Sequence, residues 1–335
     1  MSEKDLQGTT WVVTGAAGFI GSHLCIALLR RGATVRALDN LATGRRANLE
    51  AVAAEGGAGF SFVEGSIDDA TAVERVVAGA QYVLHQAALG SVPRSMADPL
   101  ASHRANVDGF ITVLDAARRS GVRRMVYASS SSVYGDHPEL PKREDRIGAP
   151  LSPYAATKRI NEVYALAYRN AYGFSAVGLR YFNVFGPRQD PEGAYAAVIP
   201  RWFRALLHGE PVVIYGDGET SRDFCYVDNV VQANLKAALA DLPADAPPCF
   251  NIAAAGRTTL NELFGMIRDQ VAAFRPGVAE ARPTYADFRP GDIRHSHADI
   301  SEARRCLGYE PTHDVAAGLA RSAEYYGNLF SGARS

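Results

Sequence analysis

Cysteine is scarce: four residues in 335, at Cys25, Cys225, Cys249 and Cys306. They stand singly, which excludes a disulfide framework and the paired spacing of a structural metal site. No charge of either sign dominates, since 35 Lys+Arg oppose 36 Asp+Glu for a formal net charge of −1. That balance gives no electrostatic push toward nucleic acid or an anionic membrane. No apolar run reaches the roughly 18 residues of a membrane span. The eight histidines show no ligand spacing, so no metal is expected. Met1 to Gln7 is polar with mixed charge, and a secretory signal is not expected there. Together these absences describe a soluble, reduced, cytoplasmic protein. At roughly 150 residues per domain, the length suggests about two structural units.

What is present is a strand–helix rhythm. Thr10–Thr14 is apolar on both faces, as a central parallel strand is. A glycine turn follows, then Phe19–Arg31 with apolar residues at helical spacing, stopped by Gly32. Further strands are expected at Thr34–Leu38 (ending in Asp39), Phe60–Val63, Tyr82–His85, Met125–Ala128 and Ala176–Arg180. Helices are expected at about 70–78, 100–119 and 155–172. Such alternation implies a Rossmann-type, doubly wound α/β fold with a parallel sheet. Past Arg180 the rhythm breaks into Gly- and Pro-bearing loops. Residues 1–180 therefore read as a nucleotide-binding domain. Residues 181–335 read as a smaller mixed α/β substrate domain, with a helix near 227–239 returning to pack on the first unit.

Two groups of residues carry chemistry. Thr14-Gly15-Ala16-Ala17-Gly18-Phe19-Ile20-Gly21 has glycines at G-x-x-G-x-x-G spacing between a strand and a helix. In such a turn one glycine makes the bend, one admits a pyrophosphate and one lets the helix pack on the strand. The helix N-terminus then offers free N–H groups to the anion. Asp39 ends the second strand, where a carboxylate binds a ribose diol and repels a 2′-phosphate, so NAD is expected over NADP. The second group is Tyr154 and Lys158, at i and i+4 on one helix. An ammonium near a phenol favours the phenolate, and a phenol so acidified is a general base for a sugar hydroxyl. The pair follows the fifth strand, whose end carries Ser129-Ser130-Ser131-Ser132. Open parallel sheets bind ligands at the carboxyl ends of their strands.

With these motifs the chain resembles the extended short-chain dehydrogenases/reductases, and within them the nucleotide-sugar 4-epimerases. In particular it resembles the bacterial UDP-N-acetylglucosamine 4-epimerases of surface-polysaccharide pathways. Residues 85–95, 180–191 and 218–226 carry that likeness, which extends from about residue 9 to 327. It implies C4 epimerisation of UDP-N-acetylglucosamine and UDP-N-acetylgalactosamine, with UDP-glucose and UDP-galactose as further candidate substrates, through a transient 4-keto sugar on bound NAD. Tyr154, Lys158 and Ser130 would be catalytic. NAD would lie along Gly15, Gly18, Phe19, Ile20, Gly21, Asp39, Asn40, Ser66, Ile67, Gln86, Ala87, Ala88, Asn106, Tyr154, Lys158 and Tyr181. Asn106 either supports the active-site loop or caps a helix. Ser66 departs from the aspartate of many relatives, which loosens the expected hold on adenine.

For the UDP-sugar the resemblance implies Ser91, Ser130, Ser131, Ser132, Asn183, Gln189, Tyr195 and Val198, with Arg222 and Arg289 as diphosphate clamps. Ser296 aligns with a gatekeeper whose bulk decides whether an N-acetyl group fits. A homodimer through a four-helix bundle is implied as well. His85 and His137 read as satisfied polar residues rather than catalysts. Three alternatives stand beside this reading. A 4,6-dehydratase would need an acidic pair where this chain has serines. A UDP-glucuronate 4-epimerase or decarboxylase shares the serine loop. A non-catalytic NAD-sensing regulator has no reason to keep Tyr154 and Lys158.

Overall fold

The computed structural model describes residues 5–192, 196–288 and 293–331. Seven parallel strands form its central sheet: β1 (Thr10–Thr14), β2 (Thr34–Asp39), β3 (Phe60–Glu64), β4 (Tyr82–His85), β5 (Arg124–Ser130), β6 (Ala176–Tyr181) and β7 (Cys249–Ile252). Their order is β7-β6-β5-β4-β1-β2-β3. The chain winds outward one way through β2 and β3, then returns to β4 and winds the other way. This makes the sheet doubly wound, as the alternation requires, and opens a crevice between β1 and β4 at the carboxyl edge.

Six strands fall where the alternation puts them. The seventh, β7, comes from beyond residue 180 and pairs with β6 from Cys249↔Gly178 to Ile252↔Tyr181. It is four residues long and follows an Ala/Pro/Asp-rich connection, so no period marks it in the sequence.

Both faces of the sheet are covered, because successive strand residues point to opposite sides. Trp11 and Val13 join a core under helices α1 (Phe19–Leu29) and α2 (Arg46–Gly56), while Val12 joins another under α3 (Ala70–Val77). The expected helix over 100–119 is interrupted. After α4 (Val92–Ala97) come α5 (Pro99–His103), a π turn (Arg104–Asp108) and α6 (Gly109–Arg119). The extra residue of a π turn rotates side chains out of helical register, and here it sends Asn106 inward. Helix α7 (Pro153–Tyr172) is bounded by its sequence: the Ser152 hydroxyl accepts the Ala155 N–H at 3.1 Å, Pro153 opens it and Gly173 closes it in the left-handed conformation.

Past β6, helix α8 (Val198–His208) belongs to a separate apolar cluster with α10 (Leu260–Ala272) and α12 (Val315–Ser331), built on Trp202, Phe203, Phe264 and Tyr326. Helix α9 (Val227–Leu239) turns back to the sheet: Val230 and Leu235 lie in the same core as Trp11. Helix α11 (Ser301–Leu307) adds Ala303 and Leu307 to that core.

Candidate active site

A cleft of about 590 Å³ opens along the carboxyl edge of the sheet, from the glycine turn to α7. At one end, Gly15 bends the chain at φ +70°, and a Cβ there would lie 2.6 Å from the Ala87 nitrogen. A Cβ on Gly21 would lie 2.0 Å from the Gly15 carbonyl oxygen, so this glycine lets α1 lie against the turn. Gly18 is the N-cap of α1, and no side chain caps the helix. The first-turn N–H groups of α1 thus face the cleft, the arrangement that binds a pyrophosphate. Asp39 closes this end. Its carboxylate accepts the Ala17 N–H at 2.9 Å and the Leu41 N–H at 2.8 Å. Burial raises its pKa, and the two N–H bonds oppose that rise. Asn40 donates to the Ser66 hydroxyl at 3.5 Å.

These residues fit a dinucleotide: free helical N–H groups for the pyrophosphate, glycines that leave room for it, and a carboxylate at the end of β2. Of the sixteen residues expected to hold one, fifteen line this cleft, including Phe19, Ile20, Ile67, Ala87, Ala88 and Tyr181. The sixteenth, Asn106, lies behind it and is 1% exposed. Its amide accepts the Leu89 N–H at 2.7 Å and donates to the Leu89 oxygen at 3.1 Å and the Thr157 hydroxyl at 3.2 Å. It therefore braces the loop after β4 and caps no helix.

At the other end stand Tyr154, Lys158 and Ser130. Ser130 and Tyr154 line the cleft together, and the Ser130 hydroxyl favours the ionised phenol. Lys158 Nζ donates to the Ala128 oxygen at 2.9 Å and sits 5.9 Å from the centre of the Tyr154 ring. The electrostatics differ from the simple expectation. Burial raises the Tyr154 phenol above its ordinary value, and Ser130 offsets only part of this. Burial also lowers Lys158 to about 8, which still leaves an ammonium beside the Tyr154 ring at neutral pH.

The remaining residues sort by contact. Asn183, Val198 and Arg222 line a second cleft of about 230 Å³ with Arg201, Trp202, Tyr215 and Phe224. Val184 lines the first cleft and Asn183 the second, so the two adjoin. Neither lining includes Ser91, Ser131, Ser132, Gln189 or Ser296. Ser91 caps α4 at φ +111° and accepts the Arg94 N–H at 3.3 Å. Ser132 donates its N–H to the Ser130 hydroxyl at 3.1 Å, and Ser131 opens the 3₁₀ turn Ser131–Tyr134. Gln189 donates to the Val184 oxygen at 3.0 Å. The Ser296 N–H donates to the Ser221 oxygen at 3.1 Å, next to Arg222. Tyr195 and Arg289 lie outside the described residues. His85 is satisfied by Thr14 Oγ1 at 2.8 Å, and burial lowers its pKa to about 3. The His137 ring is not satisfied: its Nδ1 is buried without a partner among the described residues. Among the described residues no cluster of potential metal ligands occurs.

Three supports were not legible in the sequence. Asn234 of α9 donates to the Tyr181 hydroxyl at 2.8 Å and accepts from Gln86 at 3.2 Å, fixing two cleft residues from behind. Thr157 anchors Asn106. Glu162 and Arg180 pair beneath the serine run, at 2.8 Å. An isolated Asn, Thr or Glu in a helix carries no pattern; its partners are distant in the chain.

The sequence profile of the NAD dependent epimerase/dehydratase family matches residues 11–253. A UDP-glucose 4-epimerase of Mycolicibacterium smegmatis is 40% identical over 319 residues, spanning 95% of this chain and 98% of that one. The solved UDP-N-acetylglucosamine 4-epimerase of Methanobrevibacter ruminantium, in complex with UDP-N-acetylmuramic acid, is 38% identical with a TM-score of 0.89, covering 97% of this chain and 100% of the other. The UDP-glucuronic acid 4-epimerase of Bacillus cereus, solved with UDP-glucuronic acid and NAD, is 30% identical with a TM-score of 0.84, covering 96% and 100%.

Proposed function

The chain belongs to the NAD dependent epimerase/dehydratase family, and we propose that it is an NAD-dependent UDP-sugar 4-epimerase whose substrates are UDP-N-acetylglucosamine and UDP-N-acetylgalactosamine. The observation that carries this reading is the meeting of Tyr154, Ser130 and Lys158 in the same cleft as the glycine turn and Asp39. Residues 1–180, with the return helix at 227–239, would hold NAD; residues 181–335 would supply most of the UDP-sugar site.

NAD bound in the first cleft supplies a reversible hydride acceptor and, when oxidised, a positive charge that favours ionised Tyr154. Tyr154 takes the proton of the sugar C4 hydroxyl, with the Ser130 hydroxyl beside it sharing that proton. Lys158, fixed by the Ala128 carbonyl, holds the helix face from which Tyr154 projects. Loss of the C4 hydride leaves a 4-keto sugar. That ketone turns at the Tyr154 end of the first cleft, while Arg222 of the second cleft meets the diphosphate and Asn183 marks the junction. Return of hydride to the opposite face, and of the proton from Tyr154, completes inversion with no net redox change.

Ser296 supports the acetylated pair, because its side chain is small and its backbone is pinned to Ser221, beside Arg222 of the second cleft. Likeness to glucuronate epimerases supports a second reading, a UDP-glucuronate 4-epimerase or decarboxylase. A panel of UDP-GlcNAc, UDP-glucose and UDP-glucuronate separates the readings: conversion of UDP-glucuronate alone refutes ours.

The same proposal includes a homodimer. Val92, Met96, Leu100, Val163 and Tyr164 expose apolar side chains on α4, α5 and α7, a surface suited to a helical bundle with a second copy. A cytoplasmic setting, serving surface-polysaccharide synthesis, accords with four free cysteines, all buried.

A further inference from the structure

Beneath the serine end of β5 lies a buried ion pair that no step above uses. Tyr154, Lys158 and Glu162 follow at successive turns along one face of α7. Glu162 is 2% exposed and Arg180, on β6, is 3% exposed. The pair is bidentate: Arg180 Nε donates to Glu162 Oε1 at 2.8 Å and Nη2 to Oε2 at 2.9 Å. The same carboxylate accepts from Ser129 Oγ at 2.7 Å and from Arg159 Nη1 at 3.1 Å. Arg180 also donates through Nη1 to the Tyr134 hydroxyl at 3.0 Å and the Glu144 carbonyl at 3.1 Å. Tyr134, last residue of the 3₁₀ turn, donates in turn to Asn251 Oδ1 on β7 at 2.6 Å. One carboxylate thus ties α7, the end of β5, the serine turn and the far edge of the sheet together.

Such a pair is weak evidence for stability, because well-packed apolar residues of similar volume often serve as well or better. What a bidentate fork adds is direction. Here the direction is passed to Ser129, the residue before Ser130. We propose that Glu162, oriented by Arg180, is a positioning residue: through the Ser129 hydroxyl it fixes the end of β5 so that Ser130 faces the Tyr154 phenol in the cleft. The role rests on the epimerase reading. Ser130 and Lys158 face Tyr154, Ser95 of α4 accepts its backbone N–H at 3.0 Å, and Arg104 lines the same cleft. Around Glu162 stand Arg159, Arg180, Ser129, Tyr127 and Cys249. A misplacement of about 1 Å at a reacting group lowers rate by up to about 100-fold.

The test uses full-length Ser129→Ala, Ser129→Thr and Glu162→Gln proteins. Steady-state kinetics with UDP-GlcNAc are paired with a titration of Tyr154, read as the tyrosinate absorbance lost in Tyr154→Phe. Ser129→Ala removes one hydroxyl and leaves the ion pair. Its KM is expected to stay within about twofold while kcat falls about tenfold or more, and the Tyr154 midpoint rises because Ser130 is less well placed to favour the ionised phenol. Ser129→Thr restores both readouts. Folded Ser129→Ala with wild-type kcat and midpoint overturns the proposal, and the same holds for Glu162→Gln. Should Glu162→Gln fail to fold, Ser129→Ala decides. A wild type that converts no UDP-sugar refutes the epimerase reading alone, and the Tyr154 titration still tests the positioning.

Discussion

Asp39 accepts the Ala17 N–H at 2.9 Å, which fastens the end of β2 to the glycine turn between β1 and α1. Its other oxygen takes the Leu41 N–H at 2.8 Å, so the carboxylate is held in place before any ribose arrives. Asp39→Asn keeps the size, removes the charge and gives up one acceptor. Hydrogen bonds to a charged group are worth about 1.5–3 kcal/mol, so NAD affinity should fall by about tenfold or more. Discrimination against NADP should narrow, because no anion remains to repel the 2′-phosphate. Calorimetric titration of stripped protein with each nucleotide checks both outcomes.

The three glycines of the turn separate folding from binding. A Cβ on Gly21 meets the Gly15 carbonyl oxygen at 2.0 Å, a backbone clash with no flexible side chain to yield. Gly21→Ala should lower stability by about 3 kcal/mol or more. A Cβ on Gly18 meets only the Gly15 oxygen, at 3.1 Å, and projects at the N-cap beside the cleft. Gly18→Ala should fold with a near-wild-type Tm and bind NAD poorly. Thermal unfolding with and without NAD distinguishes the two variants.

Ser296 tests the substrate assignment. A tyrosine at this position adds a ring beside Arg222 and the second cleft. Ser296→Tyr should lower kcat/KM for UDP-GlcNAc about tenfold or more, with UDP-glucose turnover nearly unchanged. Equal losses on both sugars would remove Ser296 from the specificity argument.

Glu144 makes stability depend on pH. Burial raises its carboxyl from 4.5 to about 7, although it accepts the Asn251 N–H at 2.8 Å. The folded chain therefore holds a proton that the unfolded chain releases between pH 4.5 and about 7. The resulting stability is present below that window and is lost as pH rises through it. Glu144→Gln is neutral throughout and keeps an acceptor for Asn251. Relative to wild type, its Tm should rise between about pH 5 and about pH 8, by the equivalent of about 2 kcal/mol. Parallel melting curves for the two proteins across that range check the sign.

Much of the fold is legible because its physics is local. Strands β1 to β6 are short, apolar and separated by helical spacing, and α1 follows directly from the glycine turn. The edge strand β7 escapes because Cys249-Phe250-Asn251-Ile252 is set by pairing to β6, 71 residues earlier (Cys249↔Gly178). The π turn at 104–108 escapes because helical periodicity on both sides hides one extra residue. In the site, Tyr154 with Lys158 and Asp39 with the glycines are readable from spacing. Asn234, Thr157 and Arg180 are not, since each is defined by a partner across the fold. The Tyr154 environment shows the same limit: burial, invisible in a motif, raises the phenol and lowers Lys158.

The most direct test of the account is a proton NMR time course of UDP-GlcNAc with purified protein and no added cofactor, run beside Tyr154→Phe. The account predicts UDP-GalNAc accumulating to an equilibrium mixture with wild type, and a rate lower by about 100-fold or more with the variant. UDP-GalNAc formed equally fast by both proteins, or by neither, would contradict it.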